Sequence, residues 1–211
     1  MNPIAITNGT LQEDSPHADA ESLRGTIAAV REDRSLGKVR FSTTSVAAGG
    51  VATRCLSGPL VQGGTKESNR LGRFEWGIDE PAALLGTDTG ANPAEYLLGA
   101  LAGCYTVTLT QLAALKGIEL SRIDLDLTFD LDLAGFLGLD ASVRPGAAGI
   151  GIDVSLDSPT ASAAELEELV RATEQASPIR DTLANPVRVV TTMKRPSGPD
   201  ATDPGSDRTA P

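Results

Sequence analysis

The chain predicts an α+β fold in which antiparallel strands surround one long helix, and three stretches carry that expectation. Residues 92–116 are an apolar run, NPAEYLLGALAGCYTVTLTQLAALK, with helix signals at both ends. Ile123, Leu125, Leu127, Phe129, Leu131 and Leu133 alternate with polar residues that include Asp124, Asp126, Asp130 and Asp132. Period two is the mark of a strand with one buried face, and Ile150, Ile152, Val154 and Leu156 repeat it. Residues 162–176 then set Leu166, Leu169, Val170 and Thr173 on one side of a second helix.

In chain order, residues 1–19 are polar and unpatterned and are expected to be a flexible lead-in to one domain spanning 20–194. Leu23, Ile27 and Val30 fall at helical spacing, although Gly25 to Val30 also fits a strand. Residues 38–60 alternate loosely around Gly49-Gly50 and predict a two-stranded hairpin; 73–78 predict a third strand. A Gly-, Asp- and Thr-rich loop over 79–91 leads into the long helix. There Asn92 is the expected N-cap, Pro93 suits the first helical position, Glu95 completes a capping box, and Gly117 is the stop. The helix has no continuous polar side, which predicts burial nearly all round, and Gly99, Ala100, Ala102 and Gly103 allow another backbone to approach. Residues 134–149 join the two alternating strands, Ser177-Pro178 opens a short helix, and 186–193 predict a last strand. Residues 195–211 have the composition of a disordered tail.

Composition narrows the function. A formal charge of −10 disfavours binding to nucleic acid or to an anionic membrane. No run is expected to reach the roughly eighteen apolar residues of a membrane span, and the N-terminus lacks a signal-peptide pattern, so a cytoplasmic location is expected. Two cysteines and the single His17 cannot build a structural zinc site, and alternating aspartates on a strand usually serve solubility, so neither a metal nor a cofactor is expected.

Cys104 is the single thiol in the long helix. A free thiol with a pKa of about 8.5 is mostly protonated at neutral pH, so reactivity there requires a stabilising neighbour. The helix dipole acts mainly on the first turn, which leaves Arg40, Arg54, Arg73 or Arg180 to supply it; the alternative is a thiol that only packs. Glu95 lies nine residues before Cys104, about 13.5 Å along a straight helix and on its opposite side. It therefore either closes the cap or serves a site in another subunit. Ser177 is well placed as an N-cap, and Cys55 is either a packing residue or a second thiol for Cys104.

The segment NPAEYLLGALAGC followed by YTVTL resembles the central helix of the OsmC/Ohr proteins, the osmotically induced and organic-hydroperoxide-resistance family. WGIDEP, GTDTGANP, DLDLAGFLGLDASVRPG and SPIRDTLANPV add to the likeness, which covers about residues 36–192. The resemblance implies an OsmC-like fold working as an intertwined homodimer, with two active sites where the subunits meet. It also implies a thiol-dependent peroxidase that reduces organic hydroperoxides. Cys104 matches the attacking cysteine, and Arg54, in GGVATRC, is the first choice for the activating arginine, with Arg40 second. Two positions depart from the pattern. Ser177 stands where the peroxidases carry a resolving cysteine, and the usual carboxylate position falls on Ala94, one residue before Glu95. The expected site is thus Cys104, Arg54 and Glu95 for catalysis, with Leu101 and Ser177 against the substrate, and an external dithiol as reductant. The alternative is an OsmC-like dimer that binds an apolar small molecule, or uses the cysteine for other covalent chemistry, without peroxidase turnover.

Overall fold

The computed structural model describes residues 6–7, 10–11, 15–185 and 187–194. Strands β1 (Ile6–Thr7) and β2 (Thr10–Leu11) pair antiparallel inside the expected lead-in. The ambiguous segment that follows is a helix, α1 (Ala20–Glu32), whose first turn is capped by the Asp19 side chain. Next come β3 (Val39–Arg40), β4 (Thr43–Gly49), β5 (Ala52–Ser57), β6 (Leu60–Gln62), β7 (Thr65–Glu67) and β8 (Glu75–Ile78). These form two three-stranded antiparallel sheets, in the orders β3-β6-β7 and β4-β5-β8. The β4–β5 hairpin turns at Gly49 and Gly50, both at positive φ, which only glycine adopts freely.

The loop after β8 is organised by one carboxylate. Asp79 is 2% exposed and accepts hydrogen bonds from the backbone N–H groups of Glu80, Thr87 and Thr89 and from both threonine hydroxyls. Those donors, the Thr87 hydroxyl first, hold its pKa far below the ordinary carboxylate value. Gly86 is required in this knot because a Cβ would run into the Glu80 backbone carbonyl. The loop delivers the chain to α2 (Pro93–Lys116), which Tyr96 ties back to the sheet by donating to the Gly77 carbonyl at 2.6 Å. The helix begins and ends as its sequence predicts: the Asn92–Glu95 capping box is present, and Gly117 sits at the left-handed C-cap.

Beyond α2 lie β9 (Arg122–Asp130), α3 (Leu133–Phe136), β10 (Gly149–Asp157), α4 (Ala163–Ala176) and α5 (Pro178–Ala184). The two alternating strands pair antiparallel in a register that sets Ile123 opposite Leu156, Leu125 opposite Val154, Leu127 opposite Ile152 and Phe129 opposite Ile150. Every cross-strand partner on the apolar face is therefore apolar, and a slip of one residue would turn that face to water. This face, with α4, covers one side of α2: Leu109, Ala113, Leu120 and Leu169 form the core, and Ile123, Leu125 and Val154 pack against them.

Four expectations are corrected. β9 stops at Asp130 because Asp132 caps α3 instead of continuing the alternation, which leaves Leu131 and Leu133 partly exposed. The last strand does not form: 187–194 pair with no described strand, and Val187, Val189, Val190 and Met193 face solvent, while Pro186 and the tail 195–211 lie outside the described residues. Burial of α2 is one-sided. Leu101, Tyr105, Leu109 and Ala113 recur every four residues and are buried, whereas Gly99, Ala100, Gly103, Thr106 and Val107 are exposed. Finally, by length and mean hydropathy (1.4) Pro93–Lys116 does meet the measure of a membrane-crossing helix, though here one face of it forms the core.

Candidate functional site

The site is assembled where α2 meets the junction of α4 and α5. Ser177 is the whole connection between those two helices. Its backbone N–H closes α4 by donating to the Thr173 carbonyl at 2.9 Å, and its side-chain oxygen caps α5 by accepting from the Arg180 backbone N–H at 3.4 Å. Pro178 at the first position of α5 makes the change of direction sharp. The turn drives the serine inward, so that it is fully buried, and its hydroxyl donates to Cys104 Sγ at 3.1 Å. Cys104 itself is half-buried and free of any disulfide.

Tyr105, the next residue on α2, is 3% exposed. Burial raises the pKa of its phenol, and the negative charge of Glu174 on α4 adds to the effect. The Arg180 guanidinium, whose hydrogen bond and charge both act on the phenol, opposes the rise. One turn of α4 and one turn of α5 thus bring a carboxylate and a guanidinium to the residue beside Cys104. Below them lies a cavity of about 630 Å³. Leu97, Leu101 and Tyr105 form its α2 wall, Phe129, Ile150 and Ile152 its sheet wall, and Glu174, Arg180 and Arg144 its polar groups. Cys104 is not part of the wall; its neighbours Leu101 and Tyr105 are.

Of the expected site residues, Cys104 and Ser177 come together, while Leu101, one turn before Cys104, walls the cavity, which Ser177 does not line. Arg54 does not join them. On β5 it points to the exposed face, opposite in sense to buried Cys55, and its Nε pairs with Glu75 Oε1 on β8 at 3.0 Å. Alternation along the strand is the cause, since consecutive side chains leave opposite faces. Arg40 is exposed on β3, and the Arg73 guanidinium lies over the Phe74 ring at 5.3 Å. Glu95 is used by the cap: its carboxylate accepts from the Asn92 backbone N–H at 2.7 Å, and its own N–H donates to the Asn92 side chain at 2.8 Å. Cys55 is buried on the middle strand of its sheet, in register with Ser45 and Trp76.

Sequence reasoning included Arg180 among four possible cations without preferring it, and it missed Tyr105, Glu174 and Arg144. A helical signal existed for Glu174, and it would also have singled out Arg180. Glu174 and Arg180 lie three residues before and after Ser177, one turn away in each direction, on the helices that serine joins. Among the described residues no cluster of histidine, cysteine and acidic side chains has the makings of a metal site.

A family model described as OsmC-like protein matches residues 86–192, which contain α2, Cys104 and Ser177. No curated protein matches the chain. Among solved structures, the chain is similar to an OsmC-like protein from Mycoplasma pneumoniae at 20% identity and a TM-score of 0.54, covering 69% of this chain and 87% of that one. It is also similar to an OsmC-like protein of unknown function from Vibrio cholerae, at 10% identity and a TM-score of 0.51, covering 67% and 92%. The organic hydroperoxide resistance protein OhrB of Bacillus subtilis aligns at 21% identity over 67% and 89%, with a TM-score of 0.44. The likeness to the first two is one of fold.

Proposed function

The chain belongs to the OsmC-like protein family, and from that premise we propose that it is a thiol-dependent peroxidase acting on organic hydroperoxides. The Cys104 thiolate attacks one peroxide oxygen, the O–O bond breaks, the alkoxide leaves and is protonated to the alcohol, and the sulfur keeps the transferred oxygen as a sulfenic acid. A serine hydroxyl cannot form a disulfide, so Ser177 cannot resolve that product, and an external dithiol does so. Its first thiol forms a mixed disulfide with Cys104 and releases water; its second expels Cys104 as a thiol and leaves the reductant oxidised. Arg180, rather than Arg54, is the guanidinium this reading assigns to the site.

The carrying observation is the 3.1 Å contact between buried Ser177 Oγ and Cys104 Sγ beside an apolar cavity with a guanidinium in its wall. The test is consumption of cumene hydroperoxide with dithiothreitol or dihydrolipoamide as reductant. The wild type consumes it and Cys104→Ser does not; consumption that survives the substitution removes the proposal.

A homodimer is part of the reading. Its support is the open side of α2, where a Cβ added at Gly99 or Gly103 would meet nothing within 4 Å. Light scattering on the purified chain tests it, with a monomer at micromolar concentration as the contrary result. One observation favours the alternative of a binding protein without turnover: Cys104 is not in the cavity wall. In that case an apolar ligand protects the fold against heat equally in the wild type and in Cys104→Ser, and no hydroperoxide is consumed.

A further inference from the structure

We infer that Ser177 is a positioning residue that holds the Cys104 sulfur in its ionised form through the hydroxyl hydrogen bond, a duty distinct from capping α5. The assignment rests on Cys104 being the reacting sulfur. It begins with the geometry of a single hydroxyl. Ser177 Oγ has one hydrogen and two lone pairs, and the Arg180 backbone N–H points at the oxygen from 3.4 Å, leaving the hydroxyl hydrogen for another acceptor. That acceptor is Cys104 Sγ at 3.1 Å.

A neutral thiol accepts weakly, whereas a thiolate is a charged acceptor, so a donor fixed at this distance favours the anion. Full burial of the serine strengthens the effect, because no water competes for the hydroxyl. The serine also has little freedom to turn away. It is held by its own N–H to Thr173, by the proline that follows, and by its place between two helices that both pack on α2. The charged groups that act on Tyr105, the residue after Cys104, are Glu174 on α4 and Arg180 on α5. At that phenol Glu174 opposes an anion and Arg180 favours one, whereas the Ser177 hydroxyl is the donor that reaches the sulfur itself.

The experiment is the pH dependence of alkylation by iodoacetamide, followed on the Cys104 peptide by mass spectrometry so that Cys55 does not contribute. In Ser177→Ala the alkylation midpoint rises by about one pH unit, which means about tenfold less thiolate at any pH below the midpoint. Ser177→Gly, which N-caps tolerate, gives the same rise. A midpoint unchanged in either variant, with cooperative thermal unfolding retained, overturns the assignment and leaves the serine as a cap. A purely structural serine moves the melting temperature and not the midpoint. Because no peroxide is present, a rise in a protein that fails to consume hydroperoxide keeps the Ser177 assignment while removing the peroxidase reading.

Discussion

The molecule carries two free cysteines, and the better buried one lies in the sheet rather than on the long helix. Cys55 is 5% exposed on the central strand of the β4-β5-β8 sheet, with strand neighbours on both sides. Cys104 is half-buried on α2, receives a hydroxyl hydrogen bond, and adjoins residues that wall a cavity of about 630 Å³. On the proposed reading, a thiol is made useful by a fixed polar donor and a neighbouring cavity, whereas burial alone makes it a small apolar side chain.

Exchanging each cysteine in turn is the most severe way to break this comparison. Cys104→Ser abolishes dithiothreitol-dependent hydroperoxide consumption, whereas Cys55→Ala leaves kcat/KM unchanged and costs about 1 kcal/mol of stability, measured by urea unfolding. Next in size, the helical side depends on packing that the sheet side lacks. Leu109 is 0% exposed in the core between α2 and α4, so Leu109→Ala costs about 2–5 kcal/mol in the same measurement.

Asp79 gives a pH-dependent test of the loop that carries the sheet side into α2. Its folded pKa is depressed, so its contribution is present above the ordinary carboxylate value of 3.8 and is lost as the pH falls through the lower folded value. Thermal melts of the wild type therefore fall between about pH 4 and pH 2, and Asp79→Asn melts lower at neutral pH with a smaller fall across that window. The smallest effect belongs to the sheet's ion pair. Arg54 and Glu75 have side chains 64% and 55% exposed, so Arg54→Ala changes stability by less than about 1 kcal/mol and leaves hydroperoxide consumption unchanged. A large loss of activity in that variant would instead mean that Arg54 reaches the site of a second subunit.

The same contrast explains what was legible in the sequence. The caps of α2 were, because Asn92, Pro93, Glu95 and Gly117 act on backbone groups within a few residues of themselves. The pairing of β9 with β10 as a long-looped hairpin was legible in their two alternating patterns, although the patterns alone do not choose among registers two residues apart. Arg54 does not reach Cys104 within one chain because a strand's alternation does not say which of its faces looks toward the helix. Ser177 was read correctly as a cap, yet its contact with Cys104 spans 73 residues and depends on how two helices cross, which no local signal encodes. The one-sided burial of α2 was missed for a related reason: an apolar surface looks the same in sequence whether the chain covers it or leaves it open.

The central claim is that the sulfur beside Ser177, and not the one buried in the sheet, takes oxygen from a hydroperoxide. Its most direct test is to treat the reduced protein with one equivalent of cumene hydroperoxide in the presence of dimedone, which traps sulfenic acids, and to map the adduct by mass spectrometry. The account predicts one adduct, on Cys104, formed at the same rate in Cys55→Ala. An adduct on Cys55, or none on either cysteine while the peroxide is consumed, would contradict it.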